Sequence, residues 1–442
     1  MAADPQSGRE GPDGTDAVAV LGLWHLGSIA AAGWSTLGKR VFAWDPDPTL
    51  RHGIASGIGP VVEPGLEEAL TQALEAGMLT VVDEPLDAIR AAGVVHLAFD
   101  TRTGEDGLPN DPRLDAAVEL FASSAPPQML LAISSQIPVG TCARWRQRLA
   151  RAERGLLLAY VPENLRLGRA LDDFLHPSRV VIGADVDEAH ERAADLFAPA
   201  DAPALRVSLA SAEMAKHATN AYLGLCVAFA NDLAWLALAA GADPAEVGDA
   251  LRADPRVSPS APLRPGAAFS GATLARDLST LRTLGVRHGR SDLFAGALAS
   301  NDRHSEIAIG WLEDELGGLA GTQIAIAGLT YKPGTSTLRD SLPLRIAERL
   351  LAAGARVAAW DPHAESFPLP PGMERAASLA ECVERADALA VLTALPELAS
   401  VRWDALRPAR RLLVDGCLAV DPQVVQAAGW SYRGLRSRVA GA

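Results

Sequence analysis

The sequence predicts an α/β fold: two parallel-sheet domains joined by a long central helix and a helical dimerisation region. Three observations carry that prediction. Through the first third of the chain, strand-like apolar runs alternate with helical stretches rich in alanine, leucine and charge, the pattern of βαβ units. A second series of the same kind restarts near Thr322. Between the two lies a stretch with apolar residues on most faces of a helix, as a long and largely buried helix requires. Each half is therefore expected to be Rossmann-like.

Taken in order, residues 1–16, MAADPQSGREGPDGTD, are polar and rich in glycine and proline. With no apolar segment of the kind a signal peptide needs, they read as a disordered tail on a cytoplasmic protein. The first domain is expected over 17–207, with strands in AVAVLGL, RVFAWD, VVHLAF and QMLLAIS. A central region over 208–317 opens with SAEMAKHATNAYLGLCVAFANDLAWLALAAG, the long helix. Its middle, DPRVSPSAPLRPGAAFSGA, holds too much proline and glycine to be anything but loop. A helix apolar all round and set between two domains suggests a spine that also packs on a second subunit, hence a homodimer. The second domain, 318–442, is expected to use QIAIAGL, a helix over PLRIAERLLAAG, then RVAAWDP, ALAVLT and RLLVDG. In each half one strand ends in Trp-Asp-Pro, at Asp45 and at Asp361.

Composition excludes several classes of function. At 442 residues the chain exceeds one ordinary core. No stretch approaches the ~18 uninterrupted apolar residues of a membrane span, so no membrane partner is expected. A formal charge of −14 opposes general nucleic-acid binding, which needs cationic surface to displace counterions. The four cysteines, Cys142, Cys226, Cys382 and Cys417, stand far apart without CxxC or ligand spacing, so neither a disulfide framework nor a metal site is expected.

The segment GLWHLG, Gly22 to Gly27, follows the first strand and opens a helical stretch. In a dinucleotide fingerprint the first glycine makes the tight turn, the second admits the pyrophosphate, and the third lets helix and strand pack closely. Gly22 and Gly27 fill the first and third places, but Trp24 stands in the second. Asp45, 23 residues after Gly22, suits a carboxylate that accepts ribose hydroxyls and repels a 2′-phosphate. That favours NAD over NADP. Taken alone, the half-fingerprint fits a structural α/β turn equally well.

Further motifs occur in order: VVEPGLEEAL (61–70), VPENLRLGRALDDFLHPSRVVIG (161–183), SAEMAKHATNAYL (211–223), GLTYKPGTSTLRDS (328–341) and VDG (414–416). Together they resemble the UDP-glucose/GDP-mannose dehydrogenase family, over about residues 17 to 437. The resemblance implies an NAD-binding domain, a central dimerisation region and a C-terminal nucleotide-sugar domain. It also implies oxidation of a nucleotide sugar's primary alcohol with NAD and without metal. Cofactor contacts are implied for Gly22, Trp24, His25, Leu26, Gly27, Asp45, Thr101, Ser135 and Arg339. Substrate contacts are implied for Glu163, Leu165, Arg256, Leu263, Phe269, Gly271 and Lys332, with Arg256 crossing from one subunit to the other's ligand.

For catalysis the resemblance points to Lys216 and Asn220, four residues apart on the central helix, with Asp277, Glu163 and Thr273. An ammonium and an amide one turn apart share a helix face, which suits stabilisation of an alkoxide as hydride leaves. The family's loop, approximately GFGGSCxPKD, reads AFSGATLARD here, so Thr273 replaces the catalytic cysteine. In the complete reaction that thiol adds to the aldehyde, and a thioester follows. A threonine hydroxyl is a poor nucleophile without a dedicated base.

Other departures surround the substrate. Leu167 replaces a second carboxylate, Gln136 a threonine, Pro262 a tyrosine, and DGCL stands for DGRN, placing Cys417 and Leu418 where two polar residues are usual. The expectation is an NAD-dependent dehydrogenase acting on a nucleotide sugar, a UDP-sugar first, and stopping at the aldehyde. Alternatives are full oxidation to the acid through the hydrated aldehyde with Glu163 as base, a relative that binds without turnover, and a nucleoside or another phosphorylated sugar as substrate.

Overall fold

The computed structural model describes residues 16–436, apart from 102–103, 105–108, 336–337, 339 and 365–367. Of the expected tail, residues 1–15 lie outside the described residues, as does Arg339, whereas Asp16 is described and pairs with Lys39. The chain divides into two compact units, residues 1–216 and 217–442.

In the first unit the strands are β1 (Ala17–Leu21), β2 (Arg40–Trp44), β3 (Leu79–Val81), β4 (Val94–Leu97), β5 (Leu130–Ile133), β6 (Leu157–Tyr160), β7 (Val180–Ala184) and β8 (Ala204–Val207). They form one sheet in the order β3-β2-β1-β4-β5-β6-β7-β8. Among the described residues its pairings are parallel, except that β6 and β7 run antiparallel. The second unit holds β9 (Gln323–Ala327), β10 (Arg356–Trp360), β11 (Met373–Arg375), β12 (Ala388–Val391), β13 (Leu412–Asp415) and β14 (Ser431–Gly434), all parallel, in the order β11-β10-β9-β12-β13-β14. Both sheets thus reverse direction at their first strand, the doubly wound arrangement whose crevice at the carboxyl ends receives ligands.

Side-chain alternation explains why these runs are apolar throughout. Val18, Val20, Val41, Leu130 and Leu157 face one layer of helices, with Ile29, Trp34 and Leu66. Ala19, Leu21, Leu97, Ile133 and Tyr160 face the other, with Ile89, Phe121 and Trp145. A sheet covered on both faces needs apolar residues at every position rather than at every second one. The second sheet repeats this: Ile324, Ile326 and Val414 pack on one side with Leu312 and Ile346, and Ala325, Val391 and Leu413 on the other with Trp403 and Trp430. Truncating a fully buried tryptophan such as Trp34 to alanine costs about 3–5 kcal/mol in cores of this kind.

Helix starts are written locally. At Asp47-Pro48, Asp111-Pro112, Asp243-Pro244 and Asp421-Pro422 the aspartate side chain accepts the second helical amide, while proline at the first position brings a preset φ and no stranded N–H. The central helix runs Leu209–Ala239, 31 residues. By length and composition alone it could cross a membrane. Its polar residues Glu213, Lys216, His217 and Asn220 are instead buried against protein groups. It is not buried on all faces, however: Tyr222, Phe229, Trp235 and Leu236 are exposed. Helices Pro244–Ala253, Ala272–Val286, Asp292–Ser305 and Ile307–Leu316 follow, with loop between the first two.

The two Trp-Asp-Pro strands end in matching turns. Gly22 N donates to the Trp44 carbonyl and Gly328 N to the Trp360 carbonyl, each at 2.9 Å. Leu23 N donates to Asp45 Oδ2 and Leu329 N to Asp361 Oδ2, each at 2.7 Å. Gly22 has φ +100, and a Cβ there would lie 2.7 Å from Phe99 N; Gly328 has φ +90, with Thr393 N at 2.8 Å. Both turns admit glycine alone.

Candidate active site

In the first unit, GLWHLG joins β1 to the helix His25–Thr36 at the sheet's switch point between β1 and β4. A Cβ on Gly27 would fall 1.7 Å from the Gly22 carbonyl oxygen, so the close approach of helix and strand that a dinucleotide turn needs is built in. Trp24 is the residue preceding the helix; its half-buried indole stands edge-on to the His25 ring at 6.3 Å. The turn and its close helix–strand packing fit a dinucleotide. The Leu26 amide, at that end, donates to Asp100 Oδ2 at 3.0 Å.

Asp45 is almost fully buried, and amides engage both of its oxygens: Leu23 N on Oδ2 and Asp47 N, at 2.9 Å, on Oδ1. Burial raises its carboxyl above the ordinary value despite these bonds. Asp361 does the same work in the second unit, accepting Leu329 N, Thr330 N and His363 N. Holding the turn is therefore the first task of this aspartate, whatever ribose contact it also makes. Thr101 and Ser135 follow β4 and β5 and are buried, with Ser135 Oγ donating to the Leu97 carbonyl at 3.3 Å. A cavity of about 200 Å³ opens beside them, lined by Thr101, Gln136, Thr141, Asp111 and Arg144 among others.

Glu163 and Lys216 are brought together. Lys216 Nζ donates to Glu163 Oε1 at 2.9 Å and to the Glu163 carbonyl. The lysine is buried, whereas the glutamate side chain keeps about a quarter of its surface, 24%. Burial opposes ionisation of Glu163, but the Lys216 ammonium and the Leu165 amide, which donates to Oε2 at 2.7 Å, outweigh it and hold the carboxyl below its ordinary value. Leu165 itself packs on the core with its side chain, so its ligand contact would be through the main chain.

Sequence reasoning missed the groups that hold this arrangement. Glu63, from VVEPGL, is buried; it accepts His25 Nε2 at 2.8 Å, Gly168 N at 2.9 Å and Ala170 N at 3.2 Å, tying the phosphate turn to the loop after Glu163. Burial disfavours its charge, yet these donors pull its carboxyl below the ordinary value. For His25 burial works downward, but Glu63, Asp100 and Glu163 raise it overall. Glu213 on the central helix accepts Gly140 N and Cys142 N at 2.6 and 2.7 Å, capping the helix Thr141–Ala150. Behind the loop, the Trp34 indole donates to His96 Nδ1 at 3.0 Å. That leaves His96 Nε2 to donate to Ser134 Oγ (2.8 Å), which donates to the Val161 carbonyl (2.6 Å). Burial pushes His96 down to about 4, so it is a neutral strut.

In the second unit Asn220 and Asp277 meet. Asn220 Nδ2 donates to Asp277 Oδ2 at 2.6 Å, and His217 Nδ1 bonds Oδ1 at 2.7 Å. Asp277 is fully buried, one oxygen accepting the Asn220 amide and the other bonded to His217. Thr273, one turn before Asp277 on the helix Ala272–Val286, is exposed. Asn301 clamps Phe269 through N–H (2.8 Å) and C=O (3.0 Å), and Gly271 N donates to the Asp340 carbonyl at 3.0 Å. Lys332 is half-buried in the following loop. Leu263 is buried with Cys226 and Ala261, so its side chain serves packing. Arg256 is 87% exposed and pairs with Asp254 at 2.6 Å; the structure does not bring it to the other site residues. Leu418, in DGCL, holds φ +56, a conformation asparagine accepts far more readily than leucine. The Cys417 sulfur turns inward to the Val391 carbonyl and Asp415.

Family models match nearly the whole length: the UDP-glucose/GDP-mannose dehydrogenase NAD-binding domain at residues 16–201, the central domain at 210–303 and the UDP-binding domain at 325–422. The UDP-glucose 6-dehydrogenase AglM of Haloferax volcanii is 31% identical over 421 residues, covering 90% of this chain and 96% of its own. A UDP-glucose 6-dehydrogenase of Pseudomonas aeruginosa is 30% identical over 94% of this chain and 96% of its own. Among solved structures, a UDP-glucose dehydrogenase from Pyrobaculum islandicum superposes with a TM-score of 0.88 at 28% identity, covering 98% of this chain and 99% of its own. The chain accordingly belongs to the UDP-glucose/GDP-mannose dehydrogenase family and is an NAD-dependent oxidoreductase.

Proposed function

We propose that the enzyme removes a single hydride from the primary alcohol of a nucleotide sugar, a UDP-sugar, and releases the aldehyde. Bound NAD supplies the hydride acceptor. The residues that would hold it are the Gly22–Gly27 turn with Trp24, His25 and Leu26, together with Asp45, Thr101 and Ser135. The carbon's C–H electron pair leaves as hydride and the hydroxyl proton passes to ordered water. Lys216 and Asn220 carry cationic and amide support for the oxygen as charge develops. Glu163 fixes the Lys216 ammonium, and Asp277 fixes the Asn220 amide; we assign Asp277 a positioning part. Phe269, Gly271, Leu165 and Lys332, with Arg256 from a second subunit, are proposed to shape the sugar-nucleotide pocket.

The observation that carries the aldehyde outcome concerns the thiols. Thr273 stands at the nucleophile's place, and Cys142, Cys226 and Cys382 are buried, with Cys417 half-buried and turned inward. Burial pushes the Cys142 and Cys417 thiols well above their ordinary value and Cys382 up to about 12. The thiolate, not the thiol, attacks carbonyl carbon, so none of these three is poised to replace the missing cysteine. A second reading, complete oxidation through the hydrated aldehyde with Glu163 as base, rests on the part of the Glu163 side chain that stays open beside Lys216.

Counting NADH formed per product over a panel of nucleotide sugars separates the two. One NADH per aldehyde is expected, and a ratio of two with acid product would sink the aldehyde proposal. In Thr273→Cys, a fraction of the product is expected as acid, read by mass spectrometry.

The same proposal includes a homodimer, with functional divisions at 17–207, 208–317 and 318–442. Tyr222, Phe229 and Leu236 lie seven residues apart on the central helix at 53%, 52% and 67% exposure, an apolar stripe suited to a second copy. Four free cysteines suit a reducing, cytoplasmic location.

A further inference from the structure

The anion-binding end of the helix His25–Thr36 is crowded with negative charge. The first amides of a helix are donors in want of acceptors, which is why a pyrophosphate settles there. Here the Leu26 amide already has one: Asp100 Oδ2 at 3.0 Å. His25, beside it, faces Glu63 Oε1 at 2.8 Å and feels the charges of Asp100 and Glu163. Arg113 carries a positive charge that bears on Asp100, while Lys216 is committed to Glu163. Arg113 bonds both Asp111 oxygens, donates to the Asp100 main-chain carbonyl at 3.1 Å, and lies 4.9 Å over the Phe99 ring. Arg113 thus holds the main chain at position 100, and the Leu26 bond is made by the Asp100 side chain.

We infer that Asp100 is a built-in competitor for the cofactor's pyrophosphate, occupying the Leu26 amide until the dinucleotide displaces it. Two acceptors cannot share one N–H in good geometry, and a carboxylate next to a doubly charged pyrophosphate repels it. The cofactor therefore binds only as Asp100 gives up its bond, so the residue sets affinity downward. This inverts the usual sense of a polar residue at a ligand site, since removing it strengthens binding. Without ligand, Asp100 does the opposite service, satisfying a helix-end donor in the manner of a cap. The inference rests on NAD binding at this turn.

Calorimetric titration of the full chain and of Asp100→Asn and Asp100→Ala with NADH, ADP-ribose and adenosine tests it. Asp100→Asn is expected to bind NADH and ADP-ribose about three- to tenfold more tightly, the scale of a helix-end charge effect, with adenosine unchanged. In thermal unfolding, Asp100→Ala is expected to melt lower without ligand and to gain more from saturating NADH than the parent. A residue with a purely structural role would lower the first without enlarging the second. Parent and Asp100→Asn binding NADH equally, or the variant more weakly, overturns the inference while leaving NAD as cofactor. NADH binding to neither overturns both.

Discussion

His25 is where residue-level electrostatics can be measured most directly. Burial alone would keep its imidazole neutral, but Glu63, Asp100 and Glu163 raise it above the ordinary histidine value of about 6.5. A group whose folded value is raised contributes stability that is complete below the unfolded value and is lost as pH climbs through the folded one. The Tm difference between the parent and His25→Gln is therefore expected to be larger near pH 6 than near pH 9. A difference that is flat or grows with pH would contradict the His25–Glu63 pairing. The depressed carboxyls of Glu63 and Glu163 act in the other sense, contributing above their ordinary values and losing that contribution as pH falls through the folded ones. Only the ends of this network were legible in the sequence: Glu163, Lys216 and His25 stood in recognisable motifs. Glu63 and Asp100 bond main-chain amides and a distant ring, contacts that leave no periodic trace in the chain.

Among elements, the strands were the most readable, because a two-sided parallel sheet demands continuous apolar runs. The exceptions are instructive. β8 is largely exposed and carries Arg206, and β3 has only three residues, so neither offers an apolar run to detect. The antiparallel β6–β7 pairing is likewise a property of the tertiary connection, not of either strand's composition. The central helix was recognised from its apolar character, but its contribution to the first unit comes from a charged residue. Glu213 gives one carboxylate to two amides at the start of the helix Thr141–Ala150. Removing it leaves both donors without that acceptor, so Glu213→Ala is expected to lower stability by about 1–3 kcal/mol in denaturant unfolding. A change below a few tenths would show that water replaces the carboxylate freely.

For the molecule as a whole, the repeated order of strands in two units was foreseeable from the duplicated Trp-Asp-Pro endings. The same duplication shows that Asp45 has a structural task in its turn, because Asp361 makes the matching bonds to its own turn. The proposed homodimer is tested at Phe229, whose half-exposed ring lies in the middle of the apolar stripe. Phe229→Asp is expected to convert a dimer to monomer in sedimentation or light scattering, since an aspartate desolvated at such an interface costs several kcal/mol. A parent chain that sediments as a monomer at micromolar concentration would refute the assembly.

The Glu63 clamp also has a chronological side. Its bonds to Gly168 and Ala170 bridge 105 and 107 residues of sequence, and Glu213 reaches back 73 to Gly140. Contacts that distant cannot pay the entropy of loop closure until the strands between them have assembled. The loop that carries Glu163 is therefore among the last segments to order during folding. On warming, it belongs with the parts that open before the sheets give way. A chain caught at that stage has two intact sheets and no working site, so loss of turnover precedes loss of β-sheet signal.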